Sequence, residues 1–142
     1  MFTTSHFHPM IVHFPVALIM IGFLAELISL FFKKEACLSF AGFWLLIIGA
    51  LAAIAAYLTG EFFTGEMTGA AGVVKETHEI FAKITMWTMI ANALFRIYLK
   101  YAGKEEGTMK WLAFGIYAVS AIAVSVTGFY GGSLVYNYMM PL

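Results

Sequence analysis

Long apolar stretches broken by brief polar punctuation set the pattern of this chain. Residues 40–58 contain no charged side chain, and neither does any position from 111 to 142. Residues 10–32 carry a single charge, Glu26. Within 78–101 the run from Ile84 to Phe95 is free of charge, and the long side chains that flank it can snorkel to the interface. A helix needs about 20 apolar residues to cross the hydrocarbon core. The pattern therefore predicts four spans, at residues 10–32, 40–60, 78–101 and 110–136, forming an all-α four-helix transmembrane bundle that takes in residues 1–142 as one domain.

Composition strengthens this reading. The chain is 62% hydrophobic and 11% charged, with a mean hydropathy of +0.88, against about 25% charged residues in soluble domains. No Lys or Arg precedes the first span, so the basic start of a cleaved signal peptide is missing. No segment has the character of a nucleic-acid-binding patch. Cys37, the single cysteine, excludes an internal disulfide, an iron–sulfur site and a covalently attached c-type haem. No nucleophile–base pair or carboxylate dyad supports hydrolytic chemistry, and no catalytic residue is expected.

Charge placement predicts orientation. Lys33, Lys34, Arg96, Lys100, Lys104 and Lys110 fall at the first and third connections, while Glu61, Glu66, Glu76 and Glu79 outnumber Lys75 and Lys83 around the second. The positive-inside rule then puts the first and third connections in the cytoplasm. Both termini and the second connection lie outside a bacterial cytoplasmic membrane, and His6, His8, His13, His78, Gly131 and Gly132 all gather at the outer edge.

Small residues recur on one face of two spans. Gly42, Gly49, Ala53, Ala56 and Gly60 line the second, and Ala118, Ala121, Ser125, Gly128 and Gly132 line the fourth. Such stripes serve close helix packing or leave room for a flat cofactor, and the two uses can hold at different depths. The connection at 61–77, with Thr-Gly at 64–65 and 68–69, reads as turns and helix ends or as a lid presenting backbone N–H groups, with the third helix starting near Glu76 or Thr77.

The histidines carry the candidate chemistry, because an imidazole in hydrocarbon needs a partner or a task. Pro9 suits a first helical position and puts His8 near the N-cap, as a wet interfacial side chain. His13 lies about a turn deeper, and Pro15 frees the carbonyl of Ile11 beside it. His78 heads a face that continues through Ala82, Thr85, Met89, Asn92 and Arg96. This reading takes His13 and His78 as inward rings at matching depth, an axial ligand pair for b-type haem. Gly60, Gly128, Gly131 and Gly132 would border the macrocycle, with Lys75 and His8 near its carboxylates. Copper is the alternative, since Met10, Met139 and Met140 join the histidines at the outer side and thioethers favour Cu(I). Near the other boundary, Glu26 and Arg96 are expected to form a structural ion pair joining the first and third spans.

The motif His8-Pro9-x-x-Val12-His13-Phe14-Pro15-Val16-Ala17-Leu18 resembles the opening signature of a bacterial membrane family, domain of unknown function 2231. The ending Gly131-Gly132-Ser133-Leu134-Val135-Tyr136 is similar to that family's close, and Glu26, Gly60 and His78 agree with its middle. Glu26 stands where many members have Asp. The family's frequent association with c-type cytochrome and Rieske modules implies electron transfer. Three functions follow as expectations: a bis-histidine b-type cytochrome exchanging electrons with a quinol or with a c-type cytochrome or Rieske partner; a copper-handling or transport protein; and a cofactor-free subunit of a redox complex. Partners include the lipid bilayer and, for any of the three, further copies of the chain.

Overall fold

The computed structural model of the chain describes residues 7–32 and 36–138. Its regular structure is helical throughout: α1 (Phe7–Ile11), α2 (His13–Phe31), α3 (Ala36–Phe63), α4 (Gly69–Tyr101) and α5 (Gly107–Tyr138). Only Val12 separates α1 from α2, and its N–H still bonds the His8 carbonyl at 3.1 Å. The two form one nearly continuous span, interrupted because Pro15 offers no N–H to the carbonyl of Ile11. Four helices are thus long and apolar enough to cross a membrane: His8–Phe31, Ala36–Phe63, Gly69–Tyr101 and Gly107–Tyr138.

The third span departs most from expectation. It begins at Gly69, not near residue 77, so the connection shrinks to residues 64–68 and the supposed lid is mostly the opening turns of α4. Two glycines make the tight connection feasible. Gly69 takes a φ of +67° as the chain turns into the helix, and a Cβ on Gly72 would lie 2.6 Å from the Met67 carbonyl oxygen. His78 consequently sits well inside α4 rather than in its first turn.

The helices form two hairpins, α2–α3 and α4–α5, with α3 packed on α4 and α5 closing back on α2. α1 lies against α3. Ile19, Leu46, Met89 and Tyr117 meet in the centre, while Trp44, Leu51, Trp87, Leu94, Ile122 and Phe129 point outward, as lipid-facing side chains do. Small residues let the backbones approach at this depth: a Cβ on Gly49 would lie 3.1 Å from Met89 Cε and 3.3 Å from Ile19 Cγ1.

The hairpins repeat one another. The buried positions of α2 are Pro15, Ile19, Gly22, Glu26 and Ser29; those 70 residues on, Thr85, Met89, Asn92, Arg96 and Leu99, are all buried in α4. Gly42, Leu46, Gly49, Ala50 and Ala53 of α3 correspond in the same way to Ala113, Tyr117, Ser120, Ala121 and Val124 of α5, 71 residues further on. Across the bundle, residues meet their own counterparts. Glu26 is ion-paired with Arg96, both almost wholly buried, as expected from the sequence. A self-complementary contact of this kind is the signature of a two-fold relation, with its axis running along the bundle.

A cavity built by a repeated histidine contact

The buried stripe of α2 runs 29, 26, 22, 19, 15 and, extended backwards at helical spacing, reaches Val12 and His8. His13 falls off that stripe. The stripe of α4 runs 99, 96, 92, 89, 85 and reaches Ala82 and His78. Each histidine therefore ends the inward face of its own hairpin, and they meet: the His8 and His78 rings lie with centroids 6.2 Å apart and planes at 88°.

Each ring is held in the same way by the neighbouring helix. His8 Nδ1–H donates to the Ala56 carbonyl at 3.1 Å, with Thr59 Oγ1 at 3.2 Å. His78 Nδ1–H donates to the Thr127 carbonyl at 2.9 Å. Four residues beyond each accepting carbonyl stands a glycine. A Cβ on Gly60 would lie 3.0 Å from His8 Cε1, and one on Gly131 would lie 3.1 Å from His78 Cε1. The missing side chain exposes the carbonyl one turn back and gives the ring a flat seat. Because a carbonyl only accepts, Nδ1 carries the proton in both rings, and each Nε2 keeps its lone pair. Hydrogen-bonding of one ring nitrogen to a backbone carbonyl is how proteins orient ligating histidines.

Both rings line a cavity of about 810 Å³ at this end of the bundle. The residues expected from the sequence to hold or border haem all line it: His8, His13, His78, Gly60, Lys75, Gly128, Gly131 and Gly132. The pairing differs from the expected one. His8 is half-buried and faces His78, whereas His13 is exposed and its Nδ1–H donates to the Pro9 carbonyl at 2.8 Å. His8 is accordingly not a solvent-facing cap but a part-buried ring bonded to α3. The physical reason is the near-continuity of α1 with α2, which carries the buried face of the first span through to residue 8. Lys75 is buried at the cavity wall and its ammonium meets Glu79 at 2.8 Å and Glu66 at 3.9 Å. Gly128 and Gly132, unlike Gly60 and Gly131, seat no ring among the described residues: there a Cβ on Gly128 would touch only Val16 Cγ2 at 4.0 Å, and one on Gly132 would meet nothing within 4 Å.

Among the described residues, no three His, Cys, Asp or Glu side chains cluster to hold a metal ion; the donor set is two imidazoles. Met10 is 59% exposed, and His6, Met139 and Met140 lie outside the described residues, as do Lys33 and Lys34.

A four-helix membrane bundle with a paired-histidine cavity at one end is the class that fold and site define. The chain belongs to the family "Predicted membrane protein (DUF2231)", whose model matches residues 4–141. No curated protein and no solved structure matches it.

Proposed function

We propose that the protein is a membrane b-type cytochrome whose haem lies between His8 and His78. The observation that carries this reading is the ring pair itself. Two neutral imidazoles, each with Nδ1–H tied to a helix carbonyl and Nε2 left as a donor, stand 6.2 Å apart between centroids. Iron–nitrogen bonds of about 2 Å on opposite sides of one metal give a centroid separation of about 6 Å. The glycine seats of both rings and the 810 Å³ cavity fit a large planar group. A copper ion held by the same two nitrogens would match the separation but has no need of such a volume, and this disfavours the copper reading.

Bound haem supplies a one-electron couple. The chain's own part is to hold both rings, exclude water with the surrounding apolar wall, and offer Lys75 and Thr64 to the carboxylate edge, Lys75 exchanging its contact with Glu79. The basic residues of the α2–α3 and α4–α5 connections favour a cytoplasmic position for that end, which puts the histidine end at the outer face of a bacterial cytoplasmic membrane, facing a quinol in the bilayer or a c-type cytochrome or Rieske partner outside. The test is the absorption spectrum of protein purified from haem-sufficient cells. Sharp α and β bands on reduction, with stoichiometric haem, are expected. A colourless protein that takes up no haem on reconstitution would overturn the reading.

A further inference from the structure

A second polar cluster lies buried away from the histidines. Glu26 and Arg96 each stand about a turn and a half before the end of their helix. With Asn92 and Tyr117 they line one narrow gap, closed further by Gly42 and Phe114. None of the four polar residues is more than 6% exposed. Along the two inward stripes, Ile19 and Met89 stand between this gap and the histidine cavity.

The ion pair here is made with a single prong. Arg96 Nη1 donates to Glu26 Oε1, although a guanidinium and a carboxylate can form two parallel bonds. Arg96 Nε and Glu26 Oε2 are buried with no hydrogen-bond partner among the described residues. The same is true of Asn92 Nδ2, Asn92 Oδ1 and the Tyr117 hydroxyl. Groups left unpaired in this way destabilise a fold. Helix packing alone does not call for them, because the two-fold counterparts of Asn92 and Tyr117 are Gly22 and Leu46. Two glycines make room for the polar atoms instead. A Cβ on Gly22 would collide with the Tyr117 hydroxyl, and one on Gly42 would lie 2.7 Å from Glu26 Oε2.

The unpaired atoms are of both kinds. Asn92 Nδ2, Arg96 Nε and the Tyr117 hydroxyl donate; Asn92 Oδ1 and Glu26 Oε2 accept. An anion would meet the Glu26 carboxylate and a cation the Arg96 guanidinium, so neither sign of ion suits the set. A neutral molecule that both donates and accepts does. We propose that this gap is a binding site for ordered water, bridging Asn92, Tyr117 and the free prongs of the Glu26–Arg96 pair. The gap is tight, and the side chain placed to give way is Phe114, half-buried on its wall. Water there supplies the further hydrogen bonds that a desolvated ion pair needs. The site is separate from the histidine cavity and does not rest on the haem reading.

A crystal structure of the full chain, at a resolution that shows ordered solvent, is the direct test. A solvent peak is expected within hydrogen-bond reach of Asn92 and of two among Arg96 Nε, Glu26 Oε2 and the Tyr117 hydroxyl. If these groups are bonded directly to one another with no peak between them, the proposal is overturned. A peak contacted by donors alone, the mark of an anion, overturns it too. Thermal unfolding of Tyr117→Phe in detergent is the test in solution, since this change adds no bulk. In a hydrated site it takes a partner from the water and should lower the thermal midpoint by several degrees. In a dry site it removes an unpaired buried hydroxyl, which is neutral or stabilising. An unchanged or raised midpoint therefore also overturns the proposal.

Discussion

His8 and His78, 70 positions apart in the chain, face one another at 6.2 Å between ring centroids with their planes crossed at 88°. They are equivalent residues of two equivalent hairpins, and each rests on a glycine and a carbonyl of the following helix.

On the proposed haem reading the ligand pair is His8 with His78, so His8→Ala and His78→Ala should each abolish the low-spin haem spectrum, while His13→Ala should retain it at full intensity. The crossed ring planes add a finer expectation. Perpendicular axial imidazoles leave two iron d orbitals nearly degenerate, so electron paramagnetic resonance of the oxidised protein should show a highly anisotropic low-spin signal. An ordinary rhombic signal would mean that the rings have turned from the arrangement seen here.

The glycine seats should be as sensitive as the histidines. Gly60→Val and Gly131→Val push a side chain into a ring and should lower haem content at least severalfold, with helical circular dichroism unchanged. Gly132→Ala, whose Cβ meets open space, is the matched control and should keep full haem content. Equal haem content in all three variants would show that the seats do not position the rings.

The Glu26–Arg96 pair should be structural. Both side chains are almost fully buried, and removing one partner of a buried pair costs about 3–5 kcal/mol. Arg96→Met should therefore lower the thermal midpoint in detergent by several degrees, with the optical spectrum preserved. The double variant Glu26→Leu/Arg96→Met, which removes both charges, should recover much of the loss. A normal midpoint in Arg96→Met together with lost electron transfer would instead give Glu26 a role in moving protons.

Orientation can be read at Cys37, exposed at the start of α3. With the α2–α3 connection in the cytoplasm, a membrane-impermeant maleimide should label Cys37 in inverted vesicles and not in intact cells. The reverse pattern would turn the bundle over and put the histidine cavity at the cytoplasmic face.

The length of the apolar runs alone determines that this chain makes four helices long and apolar enough to span a membrane, because crossing the hydrocarbon core as helix takes about 20 predominantly apolar residues. Helical spacing likewise makes Glu26 with Arg96 predictable, since a buried charge needs its opposite. Two signals for the histidine pair were also present in the chain. One is the backward extension of the Glu26 stripe to His8, and the other is the 70-residue interval shared by His8–His78 and Glu26–Arg96. The prolines around His13 masked the first of these, by suggesting that the helix starts or kinks between the two histidines. What only the tertiary structure decided is which ring turns inward. The choice depends on whether α1 continues the phase of α2 through Val12 and on which carbonyls Gly60 and Gly131 uncover on neighbouring helices. Likewise, only packing separates Gly60 and Gly131, which seat rings, from Gly128 and Gly132, which border open space. These are relations between helices, and periodicity within one helix carries no information about the surface it meets.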